Sequence, residues 1–306
     1  MTEPAFNRLR HIDEVAVQRA LQRLVTQGAA PWLHQEVARR MAERLAIIKL
    51  QPERVVDWWS FAGAGAEILA GAYPQAERVE VEPTAALAQR TEQGHDRPWW
   101  SLRRRPADRA TVVQDSAFEA SQPEPAQLVW ANMMLHGVAD PPALMNRWQH
   151  ALSADGFVMF SCLGPDTLRE LSALYRRLGW PAPTMSFVDM HDLGDMLVRA
   201  GFADPVMDQE TLKLSWSDAP SLLAELKTLG GNASPDRFTG LRTPRWKSRL
   251  ETELTSLKGP DGRLHMSFEV AYGHAFKAVL KAAPAAQTEV SLETMRTLVR
   301  AGGKST

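Results

Sequence analysis

Apolar positions recur along this chain with two spacings, one typical of helices and one typical of strands. Between residues 13 and 50 they return every three or four positions, as in amphipathic helices, and Pro52 ends that region. After it, short apolar runs alternate with helical segments. Such alternation predicts a mostly parallel β-sheet with helices on both faces.

The strands can be placed one by one. Five runs predict the parallel part of the sheet: Arg54 to Asp57, Arg78 to Glu82, Ala110 to Gln114, Gln127 to Asn132 and Gly156 to Ser161. Two later stretches, around Leu212 to Trp216 and Leu264 to Tyr272, alternate apolar and polar residues with a period of two. They predict an antiparallel pair at the edge of the sheet, which gives an α/β fold with seven strands in all.

Local signals predict where two helices of the second half begin and end. Asp189 is an N-cap candidate, and Gly201 follows the last residue of the apolar stripe, where it would end the helix. Asp166 can cap the helix expected from Thr167 to Arg177. We therefore expect Asp189 and Gly201 to be structural.

The organisation that follows has three parts. We expect an N-terminal helical segment at residues 1–50, an α/β domain at 51–285 and a C-terminal tail at 286–306. A helical insert at about 217–262 lies within the domain, because four leucines there share one helix face.

Composition narrows the function classes. The 306 residues are 44% apolar and 23% charged, and the net charge of −1 argues against a nucleic-acid-binding protein. The one cysteine, Cys162, sits at the end of an apolar strand and is expected to be a buried small hydrophobe. No apolar run reaches the ~20 residues of a membrane span, and the N-terminus lacks the apolar core of a signal peptide. We expect a soluble cytoplasmic protein.

Polar residues stand at the ends of four successive predicted strands. Asp57, Glu82, the pair Asp115 and Ser116, and Asn132 hold these positions. In open α/β sheets ligands bind outside the carboxyl ends of the strands, near the point where strand order reverses. Each acid alone could equally be a helix cap or a solvated loop residue. Together they predict a cleft for a nucleotide-like cofactor.

Four segments are specific enough to indicate a family. They are LGPDTLREL (163–171), DMHDLGDMLVRAGFADPVMD (189–208), LLAELKTLGGN (222–232) and SFEVAYGHAFKA (267–278). In these segments the chain resembles the malonyl-[acyl-carrier protein] O-methyltransferases of biotin synthesis, over roughly residues 35–277. The resemblance implies a Rossmann-like class I methyltransferase fold.

The same resemblance implies a reaction and a site. The reaction would be methyl transfer from S-adenosyl-L-methionine to the free carboxylate of malonyl-acyl carrier protein. The acid after the second strand would bind the ribose, and the residues after the third strand would hold the adenine amino group. We expect the cofactor at Asp57, Ala62, Gly63, Gly65, Glu82, Asp115, Ser116 and Asn132. His136 is a candidate for orienting the substrate carboxylate.

The loop after the first strand departs from the family pattern Asp-x-Gly-x-Gly-x-Gly, because Trp59 and Phe61 occupy two glycine positions. Glycine suits such a loop because it tolerates a positive φ and has no Cβ to hold a ligand away. The stretch from Ala62 to Gly65 offers a substitute turn of small residues. We therefore expect both rings to turn away from the cofactor and pack against helices or the N-terminal segment.

Two basic clusters are candidates for binding an acidic carrier protein. One is Arg103 to Arg105, and the other is Arg242, Arg245, Lys247 and Arg249. Two alternatives also stay open: another class I methyltransferase or arginine hydroxylase on this scaffold, and a catalytically silent binding or assembly protein that kept the fold.

Overall fold

The computed structural model of the chain describes residues 12–95, 110–121 and 124–278. The strands are β1 (Arg54–Trp58), β2 (Glu77–Glu82), β3 (Ala110–Gln114), β4 (Ala126–Ala131), β5 (Leu152–Leu163), β6 (Phe202–Trp216) and β7 (Leu264–Lys277). The helices are α1 (Glu14–Gln27), α2 (Trp32–Leu45), α3 (Ser60–Gly63), α4 (Ala66–Ala72), α5 (Ala85–His95), α6 (Phe118–Ser121), α7 (Pro141–Ala151), α8 (Arg169–Arg177), α9 (Met190–Arg199), α10 (Ala219–Thr228) and α11 (Pro244–Thr255).

The strands form one seven-stranded sheet in the order β3-β2-β1-β4-β5-β7-β6. Strands β1 to β5 run parallel, and β7 pairs antiparallel with both β5 and β6. The prediction of a mostly parallel Rossmann-like sheet with an antiparallel edge pair is confirmed. The order reverses between β1 and β4, so the carboxyl ends of these two strands flank the ligand-binding crevice of such sheets.

Burial explains why the central strands form apolar runs that could be predicted from the sequence. Residues Val55 to Trp58 of β1 and Gly156 to Leu163 of β5 are buried on both faces, because helices cover the sheet on either side. Cys162 is 2% exposed and belongs to this core, as predicted. The edge strand β6 starts at Phe202, ten residues before the predicted alternation, and pairs with β7 along its length.

Two helices fill the predicted N-terminal helical region. The Asp13 side chain caps α1 by accepting from the Ala16 N–H, and Gly28 ends the helix with φ 75°. Helix α2 buries Val37 and Met41 against the core. Helix α1 packs on α5 and carries Leu21 and Leu24 into a small apolar cluster beside the loop after β1.

The two predicted caps have different outcomes. Asp189 accepts the His191 N–H at 2.8 Å and begins α9, and Gly201 follows its end with φ 87°, so this prediction is confirmed. The prediction that the Asp166 side chain caps α8, the helix before α9, is wrong. Helix α8 begins after Leu168, which has φ 56°, and the Leu168 N–H donates to the Ser267 carbonyl of β7.

Helices α10 and α11 lie between β6 and β7, where the sequence predicted a helical insert. Pro220 and Pro244 each stand in the first turn, where the missing N–H is no loss, and the Asp218 and Thr243 side chains cap the two helices. In the described part of the chain, no helix is long and apolar enough to cross a membrane.

Candidate active site

In the loop after β1, Trp59 adopts a backbone conformation that normally favours glycine. Trp59 has φ 57° and ψ 50°, the left-handed conformation that its replaced glycine would adopt easily. The short helix α3 follows, and Ala64 also has a positive φ of 54°. Trp59 is therefore strained in this conformation, and the packing around its ring holds it there.

Asp57 lies under this loop and is completely buried. The Ser60 hydroxyl donates to Oδ2 at 2.7 Å, whereas Oδ1 has no hydrogen-bond partner. Burial raises the pKa of the Asp57 carboxyl well above its usual range, and the nearby Glu80 and Glu82 raise it further. Asp57 thus keeps one carboxyl oxygen without a hydrogen-bond partner at the carboxyl end of β1.

The two glycines of the substitute turn approach the protein itself very closely. A Cβ at Gly63 would lie 3.1 Å from the Asn132 carbonyl oxygen. A Cβ at Gly65 would lie 2.6 Å from Asp57 Oδ2 and 2.8 Å from Trp130 Nε1. Both glycines are therefore needed for the loop to pack down on β1 and β4.

Glu82 is fully buried at the carboxyl end of β2. Its Oε1 accepts the Phe61 backbone N–H at 2.7 Å and the Thr91 hydroxyl at 2.8 Å, while Oε2 has no partner. Burial raises the pKa of the carboxyl to about 7 despite these two hydrogen bonds. The acid predicted to bind ribose thus holds the loop and keeps one unused oxygen.

Asn132 ties together the elements around the crevice. Its side-chain amide donates to the His34 carbonyl at 2.9 Å and to the Gly63 carbonyl at 2.6 Å, and its oxygen accepts the Ser161 hydroxyl. Helix α2, the loop after β1 and strands β4 and β5 are thereby fixed to one another. The amide of this predicted cofactor residue is already used by the protein.

The predicted adenine-binding pair lies in a 3₁₀ turn after β3. Asp115 forms an ion pair with Arg147 of α7 at 2.7 Å, and Ser116 is exposed. Arg147 also pairs with Glu119. The carboxylate is thus half-buried and anchored, and the neighbouring hydroxyl faces solvent.

The Trp59 and Phe61 rings pack against the cluster of Leu21, Leu24, Ala62 and Leu87. Packing against the N-terminal helix agrees with the sequence expectation. The Trp59 ring does not leave the crevice, however: it borders a cavity there and lies 3.4 Å from where a Cβ at Gly137 would be. The lack of a side chain at Gly137 leaves the room that the indole uses.

The cavity lies between the segments that follow β1 and β4 and has a volume of about 80 Å³. Helix α1 and residues 228–233 complete its walls. His136 lines it as the sequence suggested, and so does His34, which the sequence analysis missed. His34 stands in an amphipathic helix pattern, so only the fold reveals that its ring reaches this crevice.

All the comparisons reported below match this chain to methyltransferases. A family model for methyltransferase domains matches residues 32–204, more than half of the chain. A malonyl-[acyl-carrier protein] O-methyltransferase of Gallionella capsiferriformans is 36% identical over 87% of this chain and 91% of its own length. One of the same name from Laribacter hongkongensis is 35% identical over 94% of this chain and 96% of its own. A solved structure of a methyltransferase candidate from Bacillus halodurans has a TM-score of 0.50 at 15% identity, covering 78% of this chain and 99% of that one, which shows the fold.

The residues present fit the cofactor of such enzymes. Oδ1 of Asp57 and Oε2 of Glu82 are unpartnered acceptors at neighbouring strand ends, as the hydroxyl and ammonium groups of S-adenosyl-L-methionine require. Both carboxylates are fully buried, so a ligand must displace part of the packing around the loop to reach them. The chain belongs to the malonyl-[acyl-carrier protein] O-methyltransferase family, whose members are S-adenosyl-L-methionine-dependent enzymes of this fold.

Proposed function

We propose that this protein methylates the free carboxylate of a malonyl group carried by acyl carrier protein. The observation that carries the proposal is the cavity at the switch point of the sheet, between the segments after β1 and β4, in a chain of this family. Its walls are mostly apolar and include two histidine rings, which suits a short acyl group that ends in a carboxylate.

We propose that the cofactor is held along the carboxyl ends of β1, β2 and β3. The free oxygens of Asp57 and Glu82 support this, and so does the carboxylate of Asp115 beside the exposed Ser116 hydroxyl. Ala62, Gly63 and Gly65 would form the small-residue side of the site. Asn132 would shape it through the hydrogen bonds that fix the loop.

Methyl transfer to a carboxylate requires the protein mainly to position the two reactants. When bound, S-adenosyl-L-methionine supplies a methyl group on a sulfonium sulfur, which departs as S-adenosylhomocysteine once a carboxylate oxygen takes the methyl with its own electron pair. A malonyl carboxylate is already ionised at neutral pH, so the site needs no base. The protein's contribution is to align the carboxylate and exclude water from it, which accounts for about 7–11 kcal/mol in favourable cases.

We propose that the carrier protein docks on the basic surface of α11 and the segment before it. Leu241 is 98% exposed, next to Arg242, whose guanidinium covers the Phe238 ring at 3.8 Å. Arg245 and Arg249 add positive charge on the same helix. This surface follows residues 228–233 of the cavity wall directly in the chain, and its charge complements an acidic carrier protein. The other predicted cluster, Arg103 to Arg105, lies outside the described residues.

Methyl transfer to purified malonyl-acyl carrier protein tests the function. Mass spectrometry should detect the methyl ester on the malonyl carrier protein and none on acetyl carrier protein, which lacks the free carboxylate. Failure of the folded protein to methylate the malonyl form would contradict the proposal. The double charge reversal Arg242→Glu and Arg245→Glu should raise KM for the carrier-protein substrate. The control reversal Lys49→Glu, at an exposed position in the segment that leads into the amino end of β1, should not.

A further inference from the structure

The cavity combines an apolar wall with two imidazole rings. Helix α1 contributes five of its side chains, and the loops contribute methionines, small residues and backbone. Among the described residues that line it, His34 and His136 are the only titratable ones. Their rings meet edge to face with centroids 6.4 Å apart. A volume of about 80 Å³ is several times the minimum that one water molecule needs.

The His34 ring is held in one orientation. Its Nδ1 lies 2.8 Å from the Ala62 carbonyl oxygen, so Nδ1 carries the proton and donates it. The His34 backbone carbonyl accepts from Asn132, which fixes the residue from the other side. Nε2 is therefore the nitrogen left for a molecule in the cavity. Only 7% of the residue is exposed, so such a contact would be almost free of water.

The protonation state of the His34 ring depends on what occupies the cavity. Burial lowers the pKa of His34 to about 4, so the ring is neutral at pH 7. The described residues that line the cavity include no Asp, Glu, Lys or Arg, and the nearby Arg23 of α1 donates to the Gly230 carbonyl at 2.6 Å. A carboxylate entering this low-dielectric space would favour the imidazolium strongly, because the two opposite charges attract there with little screening.

We propose that His34, with His136 beside it, binds the free carboxylate of the substrate and takes up a proton as it does so. This inference rests on the proposed function and adds the residue that recognises the reacting group. The charged ring would hold one carboxylate oxygen and leave the other free to receive the methyl group. After transfer the product is a neutral ester, so the ring returns its proton to solvent and the product loses its ion pair.

Calorimetric titration of the full chain with malonyl-CoA, in buffers of different ionisation enthalpy, measures this proton directly. We expect uptake of about one proton per bound ligand at pH 7. The methyl ester of malonyl-CoA carries the same phosphates, so it controls for their titration and should bind with almost no uptake. Binding of malonyl-CoA without excess uptake would overturn the histidine inference and leave the proposed function standing. Absence of malonyl-CoA binding would overturn the histidine inference, whereas methyl transfer to malonyl-acyl carrier protein decides the proposed function separately.

Two variants test the roles of Nδ1 and Nε2 of His34 separately. His34→Asn places an amide near Nδ1 and keeps a donor for Ala62, but it offers nothing to the cavity; we expect uptake to vanish and affinity to fall about tenfold or more. His34→Gln places its amide near Nε2, so it should bind malonyl-CoA without proton uptake and with little pH dependence. Persistence of uptake in His34→Asn would assign the proton to another group and overturn the inference.

Discussion

The backbone N–H of Phe61 donates to the Glu82 carboxylate at 2.7 Å, so the loop after β1 is bound to the acid at the end of β2. Phe61 stands where the family pattern has a glycine, and this hydrogen bond does not depend on the side chain. The loop can therefore keep its course with an aromatic residue at that position. The Phe61 ring packs against the apolar cluster formed by Leu21 and Leu24 of α1, Ala62 and Leu87 of α5.

Glu82 should make stability depend on pH in the neutral range. Burial raises the pKa of its carboxyl from 4.5 to about 7, so the folded state holds the proton more tightly than the unfolded state. The stability from that proton is complete below pH 4.5 and is lost as pH rises to about 7. Glu82→Gln is neutral at every pH and does not lose stability in this way. The wild type should therefore lose about 3 kcal/mol of unfolding free energy relative to Glu82→Gln between pH 4.5 and 7. Urea unfolding from pH 4.5 to 8 measures it, and a constant difference would refute the buried-acid assignment.

Trp59 should show its backbone strain when its ring is removed. Trp59→Gly and Trp59→Ala both lose the packing against the α1 cluster, but only glycine adopts φ 57° freely. We expect Trp59→Gly to be more stable than Trp59→Ala by about 1 kcal/mol. Thermal unfolding of the pair checks this. Equal stability would mean that residue 59 is not left-handed in solution.

Gly65 should not tolerate even one methyl group. Its Cβ would lie 2.6 Å from Asp57 Oδ2, so Gly65→Ala should destabilise the fold by about 1–3 kcal/mol. Gly71 in the last turn of α4 is the control, because nothing lies within 4 Å of its Cβ position and alanine has a higher helix propensity than glycine. Gly71→Ala should be stabilising by about 0.5–1 kcal/mol. Equal effects in chemical denaturation would contradict the close approach.

Asp189 should be structural although it lies in the most family-specific segment. Its carboxylate caps α9 through the His191 N–H, so Asp189→Ala should lower the free energy of unfolding by about 0.5–2 kcal/mol. Affinity for S-adenosylhomocysteine should stay nearly unchanged. Asp195→Ala, at an exposed position inside the same helix, controls for the loss of charge and should cost nothing. Loss of activity in Asp189→Ala at an unchanged melting temperature would make the segment a site instead.

Local patterns predicted those parts of the fold that local physics determines. Strands β1 and β5 are largely apolar because helices cover both faces of the sheet, and Asp189 and Gly201 act on their own helix. Asp166 failed as a cap because of distant residues: its N–H donates to Glu269 and the next residues are held by β7. A pairing about one hundred positions away leaves no local signal.

The same limit applies to the candidate site. The sequence indicated which acids stand at the strand ends, but not that Phe61 and Thr91 already bind Glu82 or that Asn132 is fully engaged. His34 reaches the cavity only because α2 packs against the loop after β1, 28 positions further on. Such contacts depend on tertiary structure, and a periodic pattern cannot show them.

The most direct test of this account is calorimetric titration of the full chain with S-adenosylhomocysteine. We predict saturable binding by the wild-type protein, weakened in Glu82→Ala by more than the ~1 kcal/mol typical of one neutral hydrogen bond. Phe61→Gly should lower stability and change the affinity little, since the ring packs on the apolar cluster between α1 and α5. No binding by the folded wild type, with tight binding restored by Phe61→Gly, would contradict the account and identify a silenced methyltransferase.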